Sequence, residues 1–166
     1  QIPIVFGFGT ALVAMVGMNL GAGQIQRARR IAWPGAAVAA ITTETVGLAA
    51  ALFPQAWLSL FTDDPEAIAT GALYLRIVAP AYAFLGIGLA LYFASQGAGR
   101  MGWPLFASGV RLTVLALGCA LVAWWLPGNL AALCAVMVAA LVAMALFNAL
   151  PWLKATPGGP LSGDAT

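Results

Sequence analysis

Five stretches of this 166-residue chain are long and apolar enough to cross a bilayer, and that restricts the fold more than any motif in it. A helix needs roughly 20 apolar residues to span about 30 Å of hydrocarbon. Residues 4–20, 31–53, 77–95, 105–126 and 130–153 meet that length. Membrane β-strands would be about ten residues long with alternating polarity, whereas these runs are longer and apolar on every side. The sequence therefore predicts an all-α integral membrane protein with about five transmembrane helices. Composition agrees: 63% of residues are hydrophobic and 7% charged, where soluble domains carry about 25% charged residues. Such a chain cannot clothe a water-facing surface, but it can clothe one facing lipid. The lipid bilayer is thus its first partner.

The same composition excludes several functions. A net charge of +2, with seven Lys and Arg residues, is too little for a nucleic-acid groove. The chain has no His, which removes the commonest general base and transition-metal ligand. Its two cysteines, Cys119 and Cys134, lie in apolar runs without CxxC spacing and read as buried, inert thiols. No Ser/His pair, paired intramembrane carboxylates or metal cluster emerges. The expectation is neither an enzyme nor a cofactor or metal binder. The chain opens on Gln1 without a basic leader, so it reads as entered partway through a longer protein rather than as starting with a signal peptide.

Charge placement orients the spans. Arg27, Arg29 and Arg30 follow the first span, Arg100 follows the third and Lys154 the fifth. With five crossings all of them fall on one side, while Asp63, Asp64 and Glu66 fall on the other. The positive-inside rule places the arginine side and the C-terminus in the cytoplasm of a plasma-membrane protein. Asp64 reads as a helix cap, Pro65 as its first turn, and Glu66 as a charge complementing the dipole. A helix running over residues 65–95 would be about 46 Å long, more than the hydrocarbon needs, so it tilts, projects or bends. Pro80, which lacks a backbone donor, marks the bend. Residues 155–166 are rich in Pro, Gly and Ser and read as a disordered cytoplasmic tail.

A few polar residues stand out within the spans. Glu44, in ITTETVG, lies mid-span, where a carboxylate costs about 2.5–3.5 kcal/mol; the hydroxyls of Thr42, Thr43 and Thr45 are close in sequence. It is either a proton or cation site, or a hydrogen-bonded tether between helices. Arg111 either snorkels towards the cytoplasmic end of the fourth span or takes part in gating. Asn19 and Gln96 precede the glycine runs NLGAG and QGAG, and Asn19 lies within Gly17-xxx-Gly21. Gly17, Gly21, Gly23, Gly97 and Gly99 read as structural, letting backbones approach and turn. Asn19 and Gln96 then either glue helices together or line a water-filled path. Tyr82 needs a partner for its hydroxyl. Trp124, Trp125 and Trp152 sit at span ends, where interfacial anchors belong. Neither glycine run sits in a nucleotide-binding context.

Three segments in order carry a resemblance. VGMNLGAGQIQRARR (16–30), LFTDDPEAIATGALYLRI (60–77) and FASQGAGRMGWP (93–104) resemble the multidrug and toxic compound extrusion (MATE) transporters. Met18 stands where that pattern often has Gln. The resemblance implies a twelve-helix exporter built of two six-helix lobes, with residues 1–154 forming the C-terminal lobe without its first helix. It further implies a missing N-terminal lobe as partner, a small organic, cationic substrate, and antiport coupled to Na⁺ or H⁺, with the coupling ion unassigned. Some Na⁺-linked members carry an acid in the span matching the third one here. Residues 77–95 contain none, and Glu44 matches no family site. A related flippase for lipid-linked oligosaccharides and a small membrane scaffold subunit are the competing readings.

Overall fold

A computed structural model describes residues 2–153. The described chain is helical, in the order α1 (Ile2–Gly21), α2 (Ile25–Leu52), α3 (Pro54–Leu58), α4 (Pro65–Val78), a 3₁₀ turn (Ala79–Ala81), α5 (Tyr82–Gly97), α6 (Gly102–Trp125) and α7 (Leu130–Leu153), with no strand among these residues. It is an all-α membrane protein with five spans, α4 and α5 together making the third. The tail expected to be disordered lies outside the described residues.

The second span starts at Ile25, ahead of the apolar run from Ile31, so Arg27, Arg29 and Arg30 lie on the first turns of α2 rather than in a connector. Between α1 and α2 the chain needs only one tight turn. Gly23 supplies it at φ 71°, with the Gln24 N–H donating to the Asn19 carbonyl and the Gly23 N–H to the Leu20 carbonyl. The α5–α6 turn repeats this hydrogen-bond pattern with Gly99 at φ 70°: Arg100 N–H reaches the Ser95 carbonyl and Gly99 N–H the Gln96 carbonyl. Both are Schellman closures, in which a residue without Cβ takes the left-handed conformation that ends a helix. The opposite end of the bundle holds α3, the acidic loop and the α6–α7 turn. There Asp64 caps α4, its Oδ1 accepting the Glu66 N–H at 3.0 Å.

Small residues set the packing. The buried stripe of α2 is Ala28, Ala32, Ala36, Ala39, Thr43, Gly47 and Ala50, which recurs every three or four positions and so lies on one face. In lipid no hydrophobic driving force draws helices together, so close backbone approach and hydrogen bonds carry association. The principal core joins α1, α2, α5 and α7 through Val5, Leu12, Val16, Ala32, Leu91, Ala94 and Trp152. The helix α6 stands apart. It packs along α7 and barely meets α5, leaving Leu117 61% and Trp124 83% exposed. Cys119 is exposed on it, contrary to the expectation of two buried thiols, while Cys134 is buried. Trp124 and Trp125 are free at the end of their span as anchors require, but Trp152 is not an anchor. It is fully buried, its indole N–H donating to Ser95 Oγ at 3.1 Å, because Pro151 and Trp152 still lie within the last turn of α7 against α5.

Candidate functional site

The third span breaks where Pro80 interrupts it, and α2 receives the break. Tyr82 N–H closes the 3₁₀ turn on the Ala79 carbonyl. Ala83 falls in the first turn of α5, where N–H groups have no acceptor within the helix. Glu44 Oε2 accepts that N–H at 2.8 Å. One turn position away, Thr43 Oγ1 lies 2.8 Å from the Tyr82 carbonyl oxygen and 2.9 Å from its own helix's Ala39 carbonyl. Its single proton can serve only one of them at a time. Close approach makes this contact possible: a Cβ on Gly47 would collide with the Ala79 carbonyl oxygen, and one on Gly86 with Thr43 Oγ1 and the Ala39 carbonyl. The neighbouring hydroxyls do not serve Glu44. Thr42 Oγ1 donates to the Val38 carbonyl at 2.8 Å and Thr45 Oγ1 to the Ile41 carbonyl at 2.7 Å. Threonines four residues from a helical carbonyl find an acceptor there first.

The glycines divide into two kinds. Gly17 and Gly97 bring α1 and α5 together: a Cβ on Gly17 would come within 3.0 Å of the Gly97 carbonyl oxygen, and one on Gly97 would strike the Val13 carbonyl oxygen. Gly21 faces open space, so the Gly17-xxx-Gly21 pair expected as one packing face contributes only its first member. Gly23 and Gly99 are the turn residues described above. Asn19 Nδ2 donates to the Met15 carbonyl at 2.7 Å within its own helix, and Gln96 is partly buried beside the second turn. Asn19 and Gln96 thus lie at the arginine end of the bundle, whereas Glu44 and Tyr82 meet around the break. The four candidates form two places rather than one site.

A cavity of about 360 Å³ opens next to the break, lined by Phe6 of α1, Tyr74 and Val78 of α4, Tyr82, Leu85 and Leu89 of α5, Arg111 and Leu115 of α6, and Met137, Ala140 and Leu141 of α7. Tyr74 and Tyr82 share this wall and pack on the cluster of Val78, Ala81, Cys134 and Leu141. Arg111 is the charged group of the lining. Its Nη1 lies 3.8 Å from Met144 Sδ, so it turns towards the inside of the bundle rather than along α6 to the interface. The sequence leaves Arg111 as either a snorkelling or a gating residue; the cavity depends on five helices meeting, which no local pattern announces. Asn148 was also missed. It is 2% exposed on α7, its Nδ2 donating to the Met144 carbonyl at 3.0 Å and its Oδ1 without a hydrogen-bond partner among the described residues. Its spacing gave no signal, since one Asn in an apolar helix reads the same whichever way it faces. No group of three or more His, Cys, Asp or Glu that could hold a metal occurs among the described residues.

Comparison with known proteins places this architecture. The sequence profile of the MatE family matches residues 2–122, from α1 into the last turn of α6. Over 107 residues the chain is 26% identical to a probable multidrug resistance protein NorM of Thermotoga maritima, covering 64% of this chain and 23% of that protein. Over 125 residues it is 27% identical to an FAD transporter of Shewanella oneidensis, covering 75% of this chain and 28% of that protein. The chain thus spans about a quarter of the length of these curated relatives. No solved structure matches it significantly. A profile match over well more than half of the residues, on five spans joined by glycine turns, establishes that the chain belongs to the MatE family.

Proposed function

We propose that this protein moves amphipathic organic compounds out across the plasma membrane by antiport, with Na⁺ or H⁺ entering in exchange. The observation that carries this reading is the cavity at bilayer depth, lined by aromatic and aliphatic side chains with one cation, in a chain of the MatE family. Its volume falls at the low end of small-molecule sites, about 300–1,000 Å³. The five spans serve as most of one six-helix lobe. A second lobe, carried by the remaining length that the relatives possess, completes the path, and one lobe rocks against the other to alternate access. One relative is named for multidrug resistance and another for FAD transport, so cargo chemistry differs among proteins similar to this one.

The test is transport by the protein at its full encoded length in proteoliposomes. An imposed inward Na⁺ or H⁺ gradient should drive accumulation of a fluorescent amphipathic probe in the opposite direction, and an ionophore that collapses the gradient should abolish it. Movement that ignores both gradients would overturn the antiport reading. Residues 1–166 alone should not transport, because a lobe without its partner leaves the path open on one side.

A further inference from the structure

The cavity's charge bears on what it holds. Arg111 lies about 14 Å along α6 from Gly102, at about 1.5 Å per residue. That is near mid-depth in a hydrocarbon layer of about 30 Å. A guanidinium carries five donors and stays protonated in proteins. Among the described residues its hydrogen bond goes to a thioether, a weak acceptor, and none of the cavity's lining residues is Asp or Glu. The nearest intramembrane acid along the break, Glu44, is not on this lining and already accepts the Ala83 N–H. The cavity therefore carries a fixed positive charge with donors to spare and, among the described residues, no anion of its own. In a low-dielectric setting that charge repels a cation and attracts an anion far more strongly than in water. Tyr74 and Tyr82 on the same wall bring two further O–H groups, and Phe6, Leu85, Leu89 and Leu141 bring the apolar surface an aromatic or alkyl body would cover.

We propose that this cavity is a cargo subsite for an amphipathic organic anion, whose carboxylate, phosphate or sulfonate pairs with Arg111 and whose apolar body lies against Phe6, Tyr82 and the leucines. This rests on the export reading above and reverses the sign of the cargo charge that the family resemblance implied. The headgroup region of the bilayer is about 15 Å from mid-depth, so a bilayer lipid in its normal position does not place its phosphate here.

Binding, read without any ion gradient, decides the matter. The full-length protein in phosphatidylcholine nanodiscs is titrated with radiolabelled naphthalene-2-sulfonate and, separately, with the similarly shaped cation 2-naphthyltrimethylammonium. The expected result is preference for the sulfonate, weakened by about tenfold or more in Arg111→Gln, with no loss of ammonium binding. A preference for the ammonium, or equal sulfonate affinity in folded Arg111→Gln, overturns the proposal. Displacement of the sulfonate by including phosphatidylglycerol overturns it too, by showing a lipid occupant. Should Arg111→Gln not fold, Arg111→Lys keeps the charge and loses the planar fork; several-fold weaker sulfonate binding supports the site and unchanged binding overturns it. Gradient-driven movement of either probe is scored separately. Sulfonate binding through Arg111 with no movement sinks the export reading and leaves the site, while export of the ammonium without sulfonate binding does the reverse.

Discussion

Glu44 takes a place that a backbone break creates. The first turn of α5 has an N–H that the helix itself cannot satisfy, and Glu44 Oε2 meets it at 2.8 Å. A glutamine offers the same acceptor from its side-chain carbonyl, whereas alanine leaves the amide unpaired, at a cost of about 1–3 kcal/mol for a buried donor. We therefore expect Glu44→Gln to keep the thermal midpoint of the wild-type protein in detergent and Glu44→Ala to lower it. Equal loss in both would show that the carboxylate's charge, and not its acceptor, holds the break. Transport by Glu44→Gln separates the tether from a coupling role: unchanged pH dependence removes Glu44 from ion coupling. The sequence showed that Glu44 was out of place in an apolar run, and that Pro80 was where the third span bends. It could not show that the two meet, because the register of α2 against α5 is set by which small residues face which, at Gly47 and Gly86, and both helices offer several such positions.

Among the elements, α1 and α5 come into close backbone contact where Gly17 faces the Gly97 carbonyl and Gly97 faces the Val13 backbone. Extra atoms in a packed contact of this kind cost about 1–3 kcal/mol. Gly97→Ala should accordingly destabilise the protein to chemical denaturation in mixed micelles, and Gly21→Ala, whose Cβ would meet nothing within 4 Å, should not. Comparable losses at both positions would count against the α1–α5 contact. These glycines were visible in VGMNLGAG and QGAG, but one spacing rule covered two different jobs, namely helix approach at Gly17 and Gly97 and left-handed turns at Gly23 and Gly99. The span pattern itself was legible because length and apolarity suffice for it. The misreading of Trp152 has the opposite cause: proximity to a helix end says nothing of whether the neighbouring helix reaches equally far, and α5 brings Ser95 to it.

For the whole molecule, the two ends of the bundle differ in charge. Arg27, Arg29, Arg30 and Arg100 gather at the end with the glycine turns, while Asp63, Asp64 and Glu66 gather at the other. By the positive-inside rule we expect the arginine end on the cytoplasmic side. In a Cys119→Ser, Cys134→Ser background, an impermeant maleimide added to intact cells should label Ser59→Cys and leave Gln26→Cys unlabelled until the membrane is permeabilised. The reverse pattern would invert the topology. The near-isolation of α6 has a mechanical consequence. Pulled out of a bilayer from its C-terminal end by a force probe, α7 must first be stripped from α4, α5 and α6, which together hold it. Once α7 has gone, little but lipid grips α6, so the two helices should leave in a single rupture event, with the next force peak arising only when α5 is torn from α1 and α2.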